Sequence, residues 1–531
     1  MRRWNGWGDE TTAMALSEAA KAFLQGRLGD GLVLGDASLD SVLAQVPPSR
    51  LGEHPQVHRE PLERLLHARG QSLADWLAMR EGAFGRFPDG VAYPENPAQI
   101  QALLRYAEEQ DCLLIPYGGG TSVAGHINPP DDPRPVLTLS LARMNQLLEL
   151  DEDSLLATFG PGANGPQVES QLRARGYTLG HFPQSWELST LGGWVAARSS
   201  GQQSLRYGRI EQLFAGGSLE TFAGTLEIPA FPASSAGPDL RELVLGSEGR
   251  FGVISSVKVR VSRLPEREHF YVVFLPDWTH GLAAIRDLAQ ARVPLSMLRL
   301  SGAEETRTQL TLAGHPRQIA WLERYLDWRG AGQDKCMLTF GVTGDSPACA
   351  AALRLARRRL KAFGGVFTGT LLGRKWEAHR FRSPYLRESL WQAGYVVDTL
   401  ETATDWSNVD ALLERIEASL REGLVAEGER VHVFTHLSHV YGEGSSLYTT
   451  YVFRPAAGYG GTLDRWQRLK QSTSQVIVDN GGTISHQHGV GKDHAPYLAT
   501  EKGELGMQVL QQLARHFDPE RRLNPGTLLA E

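Results

Sequence analysis

The spacing of hydrophobic and polar positions changes along the chain and marks regions of different predicted structure. Residues 14–26 and 60–80 place apolar side chains at helical spacing, and a loop rich in Pro, Gly and His separates them. We therefore expect a helical N-terminal extension over residues 1–82. Helices of this kind usually pack on a core, so their pattern alone gives weak support for membrane binding.

A strand–helix–strand unit is predicted directly after this extension. Residues 91–94 form a short apolar run, and Asn96 then caps a helix with Pro97 in its first turn. Residues 112–116 form a second apolar run that leads into a glycine-rich loop at 118–122. This order is typical of a βαβ unit that ends in an anion-binding turn.

The next stretch alternates between strand patterns and polar loops. Short strands and one helix are predicted from 135 to 180, and a long polar segment covers 183–209. Strands are predicted again at 242–246 and at 252–262, where β-branched residues are frequent.

A second α+β region follows an apparent boundary at 263–266 and extends to residue 480. The chain then continues with a His-rich loop, a helix at 501–516 and a Pro-Gly tail. The predicted elements of the second region are strands at 269–275, 336–342, 430–437 and 447–453, and helices at 280–291, 346–362, 408–422 and 463–479.

Composition narrows the class of protein. The chain has 531 residues, 41% of them hydrophobic, and 54 Lys and Arg against 60 Asp and Glu, for a net charge of −6. These values exclude a mostly disordered chain and disfavour a general nucleic-acid binder. The three cysteines lack CxxC spacing, no long apolar run predicts a membrane span, and no signal peptide is evident. We expect a cytoplasmic enzyme.

Candidate chemistry begins at the glycine-rich loop. Gly118, Gly119 and Gly120 are consecutive, so successive backbone N–H groups can converge on a phosphate. Thr121 and Ser122 add hydroxyl donors. The loop matches neither GxGxxG nor GxxxxGK[ST], which disfavours a Rossmann fold or a P-loop. An ordinary turn after a strand is the alternative.

Residues 181–208 are dense in Gly, Ser and Thr. This composition suits close approach of the backbone to a large cofactor. A long exposed loop is the alternative, but Trp186 and Trp194 favour burial.

Three further segments carry candidate chemistry. Residues 246–254 form a Gly-punctuated turn into a strand, and residues 518–526 form a turn-rich tail. His486 and His488 lie two residues apart and point the same way if the loop is extended. They can polarise a substrate oxygen, move a proton or share a metal. Because no third ligand has a clear spacing, we favour the catalytic role and predict no metal.

Together and in this order, the GGGTS loop, the PxSxxxSTxGG segment, the GSEGxxG turn and the LNPG tail resemble the vanillyl-alcohol oxidase/p-cresol methylhydroxylase (PCMH) superfamily. The resemblance implies an α+β protein with a two-part FAD-binding PCMH-type domain at 83–265. A cap domain at 266–480 would cover the flavin, and a C-terminal segment at 481–531 would return to the active site. With no Cys in the cofactor segments we expect non-covalent FAD, and His181 is the alternative attachment point.

The same resemblance implies which residues bind FAD. They are Pro116, Gly118, Gly119, Gly120, Thr121, Ser122, Pro183, Ser185, Ser189, Thr190, Gly192, Gly193, Trp194, Ala197, Ser200, Glu248, Gly249, Gly252 and Ile254.

Within the superfamily, the chain most resembles the alkyldihydroxyacetonephosphate synthases, the flavoenzymes of ether-lipid synthesis. The likeness rests on WNGWG at 4–8, PYLR at 384–387, the segment from Glu401 to Trp406 and the His loop. It implies a transferase of lipid metabolism that exchanges the acyl group of acyl-dihydroxyacetone phosphate for a fatty alcohol. In that family a flavin N5 adduct carries the reaction, without net redox.

The likeness also assigns roles in the active site. Tyr448 matches the acid/base tyrosine, with a packed strand tyrosine as the alternative. The other matching residues are Arg387 and Arg299 near the reacting centre, Thr399 beside the flavin, and His486 and His488. Surface ion pairs are the alternative for the two arginines. Gln487 replaces the middle His of the family's loop.

An FAD-dependent 2-hydroxyacid dehydrogenase or oxidase on the same fold is the second hypothesis. Metal-dependent relatives carry a GHxGDGNxH-like segment, and here Tyr448 takes the place of its last His, which favours the synthase. His436 and His439 can still pair with the His loop, so metal content discriminates. A flavin-binding protein without activity is a third hypothesis. We expect a small-molecule or lipid substrate, peripheral membrane association and a homodimer as partners, and no nucleic acid.

Overall fold

The N-terminal segment contains one short strand besides its helices. The computed structural model describes residues 2–313 and 316–530. Trp7 and Trp76 belong to the same hydrophobic core as the sheet of the cap. The segment is therefore packed between the other regions and does not stand apart from them. Its elements are α1 Glu18–Leu28, α2 Leu39–Leu43, β1 Val57–His58, α3 Pro61–Leu66 and α4 Leu73–Glu81.

Two sheets form the region predicted to bind FAD. A four-stranded sheet has the order β1-β2-β4-β3, and a five-stranded antiparallel sheet has the order β5-β6-β10-β8-β9. The strands of these sheets and of a short β11–β7 pair are β2 Gly90–Ala92, β3 Leu113–Tyr117, β4 Val136–Ser140, β5 Leu147–Asp151, β6 Leu156–Phe159, β7 Tyr177–Thr178, β8 Phe214–Thr221, β9 Gly224–Ile228, β10 Val253–Arg260 and β11 Ser262–Arg263.

The helices of this region confirm one prediction and correct another. The Asn96 side chain accepts a hydrogen bond from the Gln99 N–H and caps α5, as predicted. The predicted strand at 242–246 is wrong, because Arg241–Val244 is a short helix. A brief apolar run does not distinguish helix from strand by its period. The helices are α5 Pro97–Glu109, α6 Gly165–Arg173, α7 Leu191–Ala197, α8 Ser204–Tyr207, α9 Ile210–Leu213 and α10 Arg241–Val244.

The cap is built on an antiparallel seven-stranded sheet with the order β15-β12-β14-β13-β17-β18-β16. The four predicted strands and four predicted helices are confirmed within a few residues. The sequence interpretation missed the strands at 297–301, 366–367 and 396–405 and the helices at 303–313, 316–328, 371–379 and 386–392. The strands are β12 Arg267–Leu275, β13 Met297–Ser301, β14 Cys336–Gly344, β15 Val366–Phe367, β16 Val396–Asp405, β17 His432–Leu437 and β18 Gly444–Phe453. The helices are α11 Trp278–Gln290, α12 Ala303–Ala313, α13 Pro316–Trp328, α14 Ser346–Ala362, α15 Leu371–His379, α16 Leu386–Gln392, α17 Val409–Glu422 and α18 Tyr459–Asp479.

The C-terminal part of the chain packs against the FAD-binding region. After the His loop, α19 spans Leu498–Phe517. Leu523 forms a parallel bridge to Leu114. The Asn524 side chain donates to the Glu248 carbonyl at 2.8 Å. In the described part of the chain, no helix has the length and apolar character needed to cross a membrane.

Candidate active site

One large cavity lies where the N-terminal segment, the FAD-binding region, the cap and the C-terminal tail meet. Its volume is about 1680 Å³, and residues of all four parts line it. Most small-molecule sites occupy roughly 300–1,000 Å³. The cavity therefore has room for a dinucleotide cofactor together with a long substrate.

Close backbone contacts build one part of this cavity. A Cβ atom on Gly119 would lie 1.9 Å from the Leu188 carbonyl oxygen, and one on Gly118 would lie 2.4 Å from Thr190 Oγ1. Only glycine fits where the loop at 118–122 meets the residues before α7. The wall thus consists of backbone and small hydroxyl side chains, which fits the phosphates and ribityl chain of FAD.

The residues predicted to bind the cofactor all line this cavity. They are Pro116, Gly118, Gly119, Gly120, Thr121, Ser122, Pro183, Ser185, Ser189, Thr190, Gly192, Gly193, Trp194, Ala197, Ser200, Glu248, Gly249, Gly252 and Ile254. Glu248 has a second role, because its carboxylate accepts the backbone N–H groups of Val490 at 2.5 Å and Gly491 at 2.8 Å. It ties the GSEG turn to the C-terminal segment.

Tyr448 lies at the centre of three neighbouring strands. On its two sides it stands opposite Glu401 of β16 and His436 of β17. Its ring stacks on His436 with centroids 4.8 Å apart and meets the edge of His488 at 5.8 Å. Burial raises the pKa of Tyr448 to about 12, although a hydrogen bond with Thr399 acts in the opposite direction. The hydroxyl therefore holds its proton at neutral pH.

Glu401 is a buried carboxylate that anchors the His loop. Its oxygens lie 3.1 Å from His486 Nδ1 and 3.6 Å from His488 Nε2, and they accept hydrogen bonds from Gln487 Nε2 at 2.7 Å and Ser438 Oγ at 3.0 Å. Burial alone would raise the pKa of Glu401, but His486 and its other neighbours hold it well below its usual value. Both His486 and His488 have a pKa lowered by burial.

The two loop histidines occupy different positions. His488 lines the cavity beside Tyr448. His486 lies behind that wall, where Tyr441 Oη is 2.6 Å and Arg209 Nη1 is 2.8 Å from its Nε2 atom. Only His488 is thus placed to contact a substrate. Gln487 connects the FAD-binding region to the cap. Its Oε1 accepts the Ser200 N–H at 3.2 Å, and its Nε2 donates to Glu401 at 2.7 Å.

Arg387, Arg299 and Thr399 also line the cavity. Arg387 donates to the Gln71 carbonyl at 2.6 Å and lies over the Trp76 ring at 4.8 Å. Burial lowers the pKa of Arg387. Arg299 donates to Glu305 at 2.6 Å. Both arginines form ion pairs, Arg299 with Glu305 and Arg387 with Asp398 at 3.7 Å, but these pairs lie at the cavity wall and not on the outer surface.

Glu401, His439 and His486 form a cluster whose ligand atoms lie within 4.8 Å of one another. The Arg209 guanidinium is 2.8 Å from His486 Nε2, and its positive charge opposes a cation at this place. His439 Nδ1 lies 3.1 Å from Ser200 Oγ. Each member of the cluster thus already has a polar partner within the protein.

Sequence reasoning missed Glu401, Arg209 and Tyr441 as site residues. Glu401 belongs to a segment that supports the family resemblance, which was the available signal for it. No local pattern marks Arg209 or Tyr441, since each reaches His486 from a distant part of the chain.

Comparisons with known proteins agree with this geometry. A family model described as "FAD binding domain" matches residues 88–227, and one described as "FAD linked oxidases, C-terminal domain" matches residues 264–528. A solved alkyldihydroxyacetonephosphate synthase superposes with a TM-score of 0.84 at 24% identity, over 98% of each chain. p-Cresol methylhydroxylase superposes with a TM-score of 0.66 at 13% identity, over 98% of this chain and 99% of that one.

Curated relatives fall into two groups. The alkyldihydroxyacetonephosphate synthase of Dictyostelium discoideum is 28% identical over 99% of this chain and 93% of its own length. The one of Trypanosoma brucei brucei is 26% identical over 99% and 92%. Glycolate oxidase subunit GlcD of Bacillus subtilis (strain 168) is 24% identical over 84% of this chain and 89% of its own length.

The fold and cavity therefore define a flavoprotein of the vanillyl-alcohol oxidase/PCMH type, with FAD as the cofactor. The chain belongs to the FAD-linked oxidase family. The comparisons confirm the predicted fold class, the family resemblance, the assignment as an enzyme and FAD as the cofactor.

Proposed function

We propose that this protein is an FAD-dependent alkyldihydroxyacetonephosphate synthase-type transferase. The observation that carries the proposal is the apolar part of the cavity. Its walls include Phe23 and Leu24 of α1, Leu310 of α12 and Ile319 and Leu322 of α13. A long hydrocarbon chain would gain roughly 0.8 kcal/mol for each buried CH₂ group. A small 2-hydroxy acid has no use for such a surface. The synthase relatives also align with nearly the whole chain, whereas GlcD aligns with 84% of it.

In this reaction the oxygen of a fatty alcohol replaces the carboxylate on the dihydroxyacetone phosphate carbon. The alcohol loses its proton and a fatty acid leaves, so there is no net oxidation. Bound FAD supplies an electrophilic ring next to the substrate. The glycine loop holds the cofactor, and the apolar walls hold the chain and exclude water.

The polar centre then handles protons. Tyr448 carries a proton on Oη at neutral pH and is placed to donate it to the leaving carboxylate. The His488 ring meets the Tyr448 ring edge to face, and the Glu401 carboxylate, 3.6 Å from Nε2, holds His488 in place. Arg299 and Arg387 add positive charge at the cavity wall.

Turnover by the anaerobic yellow holoenzyme tests the proposal. Incubation with palmitoyl-dihydroxyacetone phosphate and labelled hexadecanol should release palmitate and transfer the label into the lipid product. Simple 2-hydroxy acids should leave the oxidised flavin bands unchanged. Bleaching by a 2-hydroxy acid, with no palmitate release, would refute the transferase and support the dehydrogenase hypothesis. Metal analysis of the same sample should find less than one equivalent per chain, since we propose that no metal takes part.

We also propose that the protein binds membrane surfaces. Trp321 of α13 is 71% exposed and Leu371 of α15 is 66% exposed, and both line the cavity that would take up lipid. Trp328, 78% exposed, lies about two turns further along the same face of α13. Indole rings favour the membrane–water interface. Co-sedimentation with phospholipid vesicles should fall when Trp321 and Trp328 are both changed to Ser. Unchanged co-sedimentation would refute the proposal that this surface binds membranes.

The remaining proposals come from the sequence and its resemblance. They are non-covalent FAD, the four-part division at 1–82, 83–265, 266–480 and 481–531, a homodimer and a cytoplasmic location. Acid precipitation of the protein, limited proteolysis, light scattering and cell fractionation test them in that order.

A further inference from the structure

Arg380 is a partly buried cation for which residues 2–313 and 316–530 provide no ion-pair partner. It directly follows α15, and its side chain lines the cavity. Its Nη1 atom is buried and has no hydrogen-bond acceptor. In the described part of the chain, no carboxylate oxygen lies within 4.0 Å of a guanidinium nitrogen of Arg380. A buried donor without an acceptor costs free energy, and a charged one costs more.

Other arginines at the cavity differ from Arg380 in this respect. Arg299 forms an ion pair with Glu305 at 2.6 Å, and Arg387 forms one with Asp398 at 3.7 Å. The carboxylates that act on Arg380 from beyond ion-pair distance are Glu268, Glu377 and Glu169, in that order. Glu268 accepts from Gln203 and Glu169 accepts from Thr178, so both have other partners.

Aromatic rings surround the guanidinium of Arg380. Its central carbon lies 4.7 Å from the ring centroid of Phe182, 4.9 Å from Phe381 and 5.7 Å from Phe270. Rings of this kind exclude water and favour a cation, but they do not replace an oxygen acceptor for its N–H groups. The guanidinium is thus surrounded by aromatic rings, and its Nη1 atom lacks an acceptor.

The backbone of Arg380 is held against the cofactor segment. Its carbonyl accepts hydrogen bonds from Gln184 Nε2 at 2.8 Å and from Gln202 Nε2 at 3.2 Å. Both glutamines line the cavity. The guanidinium is therefore positioned between the FAD-binding region and the cap, where a substrate next to the flavin would lie. Lys375 and His379 of α15 line the same cavity and add donors nearby.

We propose that Arg380 binds the phosphate monoester of the substrate and so fixes its polar end while the chain lies along the apolar wall. A planar guanidinium offers two parallel N–H donors to a phosphate, which a lysine cannot do. The identity of the phosphate ester rests on the proposed function, whereas the anion site itself does not. The same chemistry is present in the diphosphate of FAD, so the test must separate the two sources.

The test compares holoenzyme of the wild type with Arg380→Met, Arg380→Lys and the control Arg374→Met, an exposed cation of α15 outside the cavity. Inorganic phosphate binding is measured by calorimetry, and KM is measured separately for palmitoyl-dihydroxyacetone phosphate and hexadecanol. Arg380→Met should weaken phosphate binding and raise the KM of the phosphate substrate at least about tenfold. FAD content and the KM of hexadecanol should not change, and Arg374→Met should match the wild type.

Each other result has a defined meaning. Arg380→Lys keeps the charge without the paired donors and should lie between wild type and Arg380→Met, which covers the case that the Met variant fails to fold. Loss of FAD with unchanged phosphate affinity of the remaining holoenzyme would overturn the proposal and assign Arg380 to the cofactor. Unchanged phosphate binding and KM would also overturn it. Arg380-dependent phosphate binding without any acyl exchange would refute the proposed function and leave the anion site standing.

Discussion

The cofactor cradle and the catalytic centre line the same cavity but are built in different ways. The cradle is made of backbone, brought close by Gly118 and Gly119 against residues 188–190. The centre is made of side chains, since Tyr448, Glu401 and His488 come from two strands and a loop far apart in sequence. The cradle should therefore be sensitive to an added Cβ atom, and the centre to the loss of one functional group.

The largest expected effect is loss of the cofactor when a Cβ atom is added to the cradle. In Gly119→Ala the new methyl group would meet the Leu188 carbonyl at 1.9 Å, so the loop must move. We expect protein without flavin, measured as the ratio of absorbance at the flavin band to that of the protein. Gly35→Ala is the matched control, because nothing lies within 4 Å of its added Cβ. Full FAD occupancy in Gly119→Ala would contradict the backbone-built cradle.

Removing the Tyr448 hydroxyl should show most clearly that the catalytic centre acts in turnover and the cradle in FAD binding. We expect Tyr448→Phe to bind FAD normally and to lose acyl exchange by about 10²–10⁴-fold, the usual contribution of a positioned acid or base. Rates are measured as palmitate release under saturating hexadecanol. Tyr459→Phe is the control, since its hydroxyl contacts Gly35 and Asp36 outside the cavity lining. Normal turnover by Tyr448→Phe would rule out its acid role.

Glu401→Gln should lower both turnover and stability, with a defined pH dependence. The pKa of Glu401 is held low in the folded protein, whereas in the unfolded chain it is about 4.3. Its contribution is thus fully present above that pH and is lost as pH falls through the folded pKa. At pH 7, the free energy of unfolding in urea should be about 1–3 kcal/mol lower for Glu401→Gln than for the wild type.

The same deficit should shrink in samples below about pH 4, because Glu401 then becomes protonated in the unfolded wild type. Glu443→Gln, at an exposed position, is the control and should show neither effect. A deficit that grows on acidification would contradict the low pKa.

The smallest effect is expected along the apolar wall. Leu322→Trp fills space in the part of the cavity lined by α13 and should shift preference from hexadecanol toward shorter alcohols by several-fold. Each CH₂ group that no longer fits costs roughly 0.8 kcal/mol. The measurement is kcat/KM across an alcohol series, with Val425→Trp, exposed and outside the cavity, as control. An unchanged chain-length profile would place the hydrocarbon elsewhere.

Prediction from the sequence succeeded best where the signal was local. The cap of α5 at Asn96 and the glycine loop each lie within a few residues, so their patterns were readable. Strand β16 was missed, although it carries both Thr399 and Glu401, and the run at 242–246 was assigned the wrong element. These stretches take their structure from neighbours across the fold and not from their own period.

The amino-acid sequence by itself determined the cofactor cradle, because glycine at a close approach is a requirement of the local backbone. It also carried the family resemblance and the order of the regions. Only the tertiary structure decided which side chains share the catalytic centre. It placed Glu401 beside the His loop, moved His486 behind the wall and left Arg380 without an anion. Long-range contacts depend on how the strands and loops pack, and no local spacing records that packing.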